Sequence, residues 1–307
     1  MIEKPDIKYL PREAIDDTKW DACIGNAGNG LIYANSFYLD TIADNWDALV
    51  MNDYEAVMPL TWRKKYGIYY LYQPFLVAQS GLFGKMIDAK LLDSFLKAIP
   101  GKFRYWDINL NWQNCFQLRD FKIHQRNNFV LDLERPYEKI YEFYSENVKR
   151  NIRKAEQLGC AVKKDFDVEI VITAAKEQMK SYVKEAKENV VRFKKLFNYL
   201  HGKQQAITYG IFSPQHKLLS SCIFFFSHHR AYYILVGNHP ESKTTGASHT
   251  LIDAFIKDHC GQKLVLDFEG SEIPGLANFY SSFGAAEEKY AAIRLNRLPF
   301  YLRWIKK

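Results

Sequence analysis

Apolar residues in this chain recur at two spacings, every second position and every third or fourth. The two patterns alternate, which predicts a mixed α/β protein. Phe37 to Ala43 carries a short helical pattern. Asp47–Met51 and Glu55–Leu60 read as two strands of a hairpin joined by an Asn-Asp turn, and Ile68–Tyr72 as a third strand after Tyr66-Gly67. Met86 to Ile99 places Ile87, Leu91, Leu92, Phe95 and Leu96 on one helical face, and Pro100-Gly101 stops it. Tyr105–Leu110 and Asn128–Leu133 read as further strands.

A boundary is expected near Glu134-Arg-Pro136, giving domains of residues 1–134 and 135–307. Tyr137 to Leu158 reads as one helix closed by Gly159, a second runs from about Val168 to Asn189, and a third from Arg192 to Leu200. Strands return at Ala206–Phe212, Leu218–Phe226 and Ala231–Val236. They are followed by a helix over Ser248–His259, a strand over Lys263–Phe268, a short helix over Asn278–Phe283 and a closing strand over Tyr290–Leu295. Both halves thus run helix, meander, helix and strand, so two copies of one α/β plan are expected.

With 48% hydrophobic and 25% charged residues, the 307-residue chain has a globular composition, not a disordered one. No run approaches the roughly 18 apolar residues needed to cross a bilayer. Met1-Ile-Glu-Lys-Pro-Asp lacks the apolar core of a secretory signal, so a cytoplasmic protein is expected. Cys23, Cys115, Cys160, Cys222 and Cys260 are scattered and odd in number, which argues against a disulfide framework or a zinc site; no metal is expected. The net charge of +7 suits a handler of anionic ligands, and equally a solubilising surface.

The strongest local feature is the strand Tyr232–Gly237, followed by a loop and the segment Lys243-Thr244-Thr245-Gly246-Ala247-Ser248 at the start of a helix. A glycine there lets backbone approach a ligand, hydroxyls add donors, and the helix start offers unpaired N–H groups with a positive dipole end. The bland alternative is an ordinary helix cap. If the loop holds phosphates, Gly246→Asp is expected to abolish donor binding and leave the fold intact. Strand alternation sets Leu264, Leu266 and Phe268 against Val265, Asp267 and Glu269. Two carboxylates at a strand end could accept a proton from an attacking amine, or pair with basic side chains. Arg150, Arg153 and Lys154 share a helix face that could hold phosphates or simply be solvated. His249 could touch a ligand, Trp46 and Trp106 read as buried strand aromatics, and Gln73–Phe75 and Gln79–Gly81 are expected to line an acceptor cleft.

The order strand, Gly-containing loop, helix, strand, short helix resembles the acyl-CoA pyrophosphate site of GNAT acyltransferases, whose loop runs Gln/Arg-x-x-Gly-x-Gly/Ala. Lys243 and Ser248 depart mildly from that pattern. Asn147-Val-Lys-Arg150-Asn-Ile-Arg153-Lys154, Asp267-Phe-Glu269-Gly-Ser and Gly275-Leu-Ala-Asn-Phe279-Tyr280-Ser-Ser-Phe283-Gly284 narrow the resemblance to the FemAB-like (peptidoglycan-bridge, BioF2-like) branch, over about Tyr137 to Leu295. The resemblance implies two tandem GNAT-like domains, each a mixed, mostly antiparallel sheet flanked by helices, with the donor in the second. It implies transfer of an acyl group from acyl-CoA, as co-substrate, or a related phosphate-bearing donor, to an amine acceptor. It also implies a role for Tyr280 in protonating the leaving group, beside which a core-packing role stands as an equal reading. An aminoacyl-tRNA donor acting on a cell-wall precursor, and a catalytically degenerate ligand-binding member, remain the alternatives.

Overall fold

The computed structural model describes residues 6–179, 187–269 and 274–299. The chain forms two compact units, residues 1–126 with 289–307, and residues 127–288. The first unit contains β1 (Ile7–Leu10), α1 (Asp17–Asn26), α2 (Ser36–Ile42), β2 (Trp46–Met51), β3 (Ala56–Lys65), β4 (Ile68–Tyr72), β5 (Phe83–Gly84), α3 (Ala89–Ala98) and β6 (Phe103–Asn109). Strand β7 (Ile123–Asp132) leads into the second unit, with α4 (Tyr137–Glu142), α5 (Glu146–Gln157), β8 (Ala161–Lys164), α6 (Val168–Met179), α7 (Lys187–Gly202), β9 (Ala206–Phe212), β10 (Leu218–Ser227) and β11 (Arg230–Asn238). Then follow α8 (Ser242–Thr245), α9 (Ala247–His259), β12 (Val265–Asp267), α10 (Pro274–Ser281) and β13 (Ala286–Asn296), whose later residues belong to the first unit.

The expected fold class is the one observed: mixed α/β, with mostly antiparallel sheets flanked by helices. In the first unit β1, β2, β3 and β4 pair antiparallel, β4 runs parallel to β6, and Ala292–Asn296 of β13 closes antiparallel on β6. In the second, β8, β9, β10 and β11 pair antiparallel, β11 runs parallel to β12, and β7 closes antiparallel on β12. Among the described residues each unit has one parallel pair, and a crossover carrying a helix, α3 or α9, makes it possible. Helices cover the sheets so closely that central strands such as β2, β10 and β11 are buried at nearly every position, not at alternate ones. Leu92 and Phe95 of α3 pack with Leu71 and Trp106, and Leu251 and Phe255 of α9 with Phe224 and Leu266.

Several boundaries differ from expectation for local reasons. The single helix expected over Tyr137–Leu158 is two helices: the first ends at Glu142 with Phe143 as its C-cap, and Ser145 caps the next, its Oγ accepting from Val148 N at 3.3 Å. Gly159 does close α5, at φ +69°. Of the helix expected over Val168–Asn189, residues 180–186 lie outside the described residues. Strand β8 escaped the pattern because all four of its residues are exposed, which leaves no alternation to read. Helix α1 escaped because only Trp20 and Ile24 of its ten residues are buried.

Candidate active site

Strands β11 and β12 keep parallel register from Arg230 opposite Val265 to Tyr232 opposite Asp267. There β12 ends, while β11 continues to Asn238, so the strands part. In open α/β sheets the crevice at the carboxyl ends of parallel strands is where ligands sit. A cleft of about 1350 Å³ opens at the far end of β11, lined among others by Glu177 of α6, Gly237, Asn238, Lys243, His249 and Phe279. Gly237 makes one wall possible: a Cβ there would lie 2.6 Å from both Ala174 Cβ and Ala175 N, so α6 rests directly on the strand.

The loop Lys243–Ser248 is more ordered than a capped loop. Its first part is the short helix α8, and Gly246 at φ +79° joins it to α9. Gly246 does not face the cleft, because the space its Cβ would take is filled by the Asn151 carbonyl of α5. The expectation that Gly246→Asp leaves the fold intact is therefore corrected, since any side chain there meets α5 backbone. The Thr244 and Thr245 hydroxyls donate to Glu241 O at 3.0 and 2.9 Å, and Ala247 is buried. Ser248 Oγ donates to Asn238 Oδ1 at 3.0 Å, which Ser220 Oγ also reaches at 2.6 Å. Of the six loop residues, Lys243 and Ser248 line the cleft.

Arg150, Arg153 and Lys154 are exposed on α5. Arg150 Nη2 donates to Asn147 Oδ1 at 2.7 Å, and Arg153 Nε to Lys149 O at 3.3 Å. The opposite face of α5, with Val148, Ile152 and Ala155, is buried against α9. The cations thus flank the α8–α9 junction without lining the cleft.

The expected catalytic segment is packed more deeply than its sequence suggests. Leu266 and Phe268 enter the core, as alternation requires, while Glu269 leaves the strand at φ +61° and is half-buried. Asp267 is 1% exposed. It accepts from Arg230 Nη1 at 2.8 Å, Asn128 Nδ2 at 2.9 Å and Glu269 N at 2.9 Å. Tyr280 stacks on Phe268 with centroids 4.5 Å apart and meets Tyr233 edge-on at 6.4 Å. Burial, and then the charge of Glu269, pushes its phenol well above the ordinary value, so it stays protonated. Gly270 and Ser271, part of the same motif, lie outside the described residues.

Sequence reasoning gave little weight to His249 and none to Asn238, Arg230 or Glu288. His249 lies against Phe279 (4.9 Å, edge-on), and burial lowers its pKa from 6.5 to about 4, so the ring is neutral at pH 7. Arg230 heads an otherwise apolar strand, a signal that it needs buried carboxylate partners; which ones, the sequence could not say. In the first unit, Gln79 is buried and accepts from Trp112 N at 3.0 Å, while Gln73 accepts from Asn109 N at 2.9 Å, so both tie down their own segment. Trp46 and Trp106 are buried as expected. Among the described residues no helix is long and apolar enough to cross a membrane, and no group of three or more His, Cys, Asp and Glu is placed to hold a metal ion.

No family model and no curated protein matches the chain. Solved structures do. FemX is similar at a TM-score of 0.66 and 14% identity, over 98% of this chain and 100% of that one. L-PGS from Bacillus licheniformis is similar at 0.57 and 12%, over 94% and 95%. The C-terminal domain of a putative lysylphosphatidylglycerol synthetase from Agrobacterium fabrum is similar at 0.56 and 8%, over 94% of each chain. At these identities the likeness establishes a shared fold.

Proposed function

We propose that this chain is an acyltransferase, moving an acyl or aminoacyl group from a phosphate-bearing donor to an amine. The observation that carries the reading is the cleft at the end of β11, beyond the point where β11 and β12 part, with Lys243 and the start of α9 at its edge. Lys243 and the α9 N-terminus would hold the donor's phosphates, with Arg150, Arg153 and Lys154 adding long-range attraction. In the reaction the amine nitrogen bonds to the acyl carbon and the carbon–sulfur or carbon–oxygen bond to the donor breaks. One proton leaves the nitrogen and one is taken up by the departing thiolate or alkoxide. Glu269 is the proposed acceptor of the first. Tyr280, which burial keeps protonated, is the proposed source of the second. Most of the acceleration would come from holding the two substrates together.

Acyl-CoA is the first donor proposed. An aminoacyl donor such as aminoacyl-tRNA is favoured by one observation, the fold shared with a protein named for joining a lysyl group to phosphatidylglycerol. The test is to incubate the full chain with acyl-CoAs, and separately with aminoacyl-tRNA, over a panel of primary amines. Transfer from one donor class identifies the donor. Binding without transfer makes the chain a ligand-binding relative, and neither binding nor transfer removes the proposal.

A further inference from the structure

Helix α6 turns toward the cleft a stripe that polar residues would ordinarily fill. Val171, Ile172 and Ala175 are buried, while Glu169, Ile170, Thr173 and Glu177 line the cleft. The isoleucine in that stripe stays 42% exposed. Helix α10 does the same. Its Leu276 is 40% exposed, and its Phe279 lies against the His249 ring. Ile170, Leu276, Phe279 and Leu218 of β10 all line the one cleft. Large apolar side chains gathered in a cleft and left open mark a surface that a ligand covers.

The polar groups of the cleft, in contrast, largely satisfy one another. Asn238 N donates to Gln178 Oε1 at 2.6 Å, and Asn238 Oδ1 accepts from Ser220 and Ser248. Glu169 is paired with Lys194 Nζ at 2.5 Å. Among the described residues, Lys243 and Glu177 are the lining charges outside any ion pair. Lys243 suits a phosphate. Glu177 is exposed, where water screens it, so it gives the ammonium of an aminoacyl group little hold. His249 adds no charge at pH 7, because burial keeps its ring neutral. The cleft volume of about 1350 Å³ exceeds the roughly 300–1,000 Å³ of most small-ligand sites, which leaves room for a chain beside the phosphates.

We infer that the acyl group of the donor is a medium or long hydrocarbon chain, and that Ile170 and Leu276 select it over acetyl and aminoacyl groups. That the chain belongs to an acyl donor rests on the transfer reading; that the cleft holds a chain does not. Each methylene buried against these walls is worth about fourfold in affinity, so two of them suffice for more than about tenfold. The transfer proceeds as written above, with the same bonds made and broken.

The experiment is calorimetric titration of the full chain with acetyl-CoA and octanoyl-CoA. Octanoyl-CoA is expected to bind at least about tenfold tighter. In the double variant Ile170→Ser with Leu276→Ser that advantage should fall below about threefold, whereas a merely structural change weakens both ligands alike. Circular dichroism checks the fold, and should the double variant unfold, Leu276→Ser decides alone by losing at least about threefold of the advantage. A second pair, n-octyl phosphate against ethyl phosphate below the micellar concentration, asks the same without the nucleotide. No binding or equal affinity within both pairs, or an advantage that the variants keep, overturns the chain site. A residue-dependent advantage in the phosphate pair alone keeps the chain site and removes CoA as the donor. Such an advantage without transfer to any amine keeps the chain site and removes the transferase reading. Transfer from acetyl-CoA with no advantage for the longer chain does the reverse.

Discussion

Gly246 shows how a residue legible as important can be important for another reason. Its φ of +79° is a left-handed conformation that side chains resist, and a Cβ would overlap the Asn151 carbonyl. Gly246→Ala should therefore cost about 2–4 kcal/mol, strain and overlap together, read as a lower denaturation midpoint at unchanged slope. Wild-type stability would mean that α5 does not press on this junction. His249 makes a second prediction at this scale. Its folded pKa of about 4 lies below the ordinary 6.5, so folding requires the neutral ring. The stabilisation is complete above pH 6.5, is lost as pH falls from there toward 4, and levels off below. The ring is partly exposed, so the loss stays under about 3 kcal/mol. His249→Phe should flatten that limb of the stability–pH curve, and an unchanged limb would refute the buried neutral ring.

The cleft is shaped by two helices set against strand and helix ends. Helix α6 reaches β11 only because residue 237 is glycine. Gly237→Val is expected to push α6 off the strand, with loss of donor binding and of stability by about 2 kcal/mol or more, measured by calorimetry and melting. Helix α5 begins at Ser145, whose side chain satisfies the Val148 amide. Ser145→Ala should cost about 1 kcal/mol and speed hydrogen exchange at Val148. Unaltered exchange would show that α4 and α5 behave as one helix after all. The sequence could not mark this break, because Phe143 and Tyr144 keep the helical spacing across it.

For the whole molecule, the charge of +7 acquires meaning through its placement. Reversing Arg150, Arg153 and Lys154 to Glu removes six units of charge from an exposed face. The triple variant should melt within about 2 °C of wild type. It should bind a phosphate-bearing donor about tenfold more weakly at low salt, with the difference shrinking as salt rises. Equal affinity at low salt would detach α5 from the donor site.

Apolar spacing by itself determined most of the elements and the mixed α/β class, because burial of one face imposes its period on the sequence. Lys243 and Ser248 were singled out by another signal, a Gly-containing loop at a helix start, and both line the cleft. Only the tertiary structure decided which way the remaining loop residues face. It directed Gly246 to α5, the threonine hydroxyls to Glu241, and Asp267 to Arg230. It alone could bring Asn128, Arg230, Asp267 and Glu288 together, since residues 160 positions apart share no period and meet only where four strands lie side by side. Periodicity reports which face of an element is buried; what that face is buried against is set by the packing of elements remote in the chain.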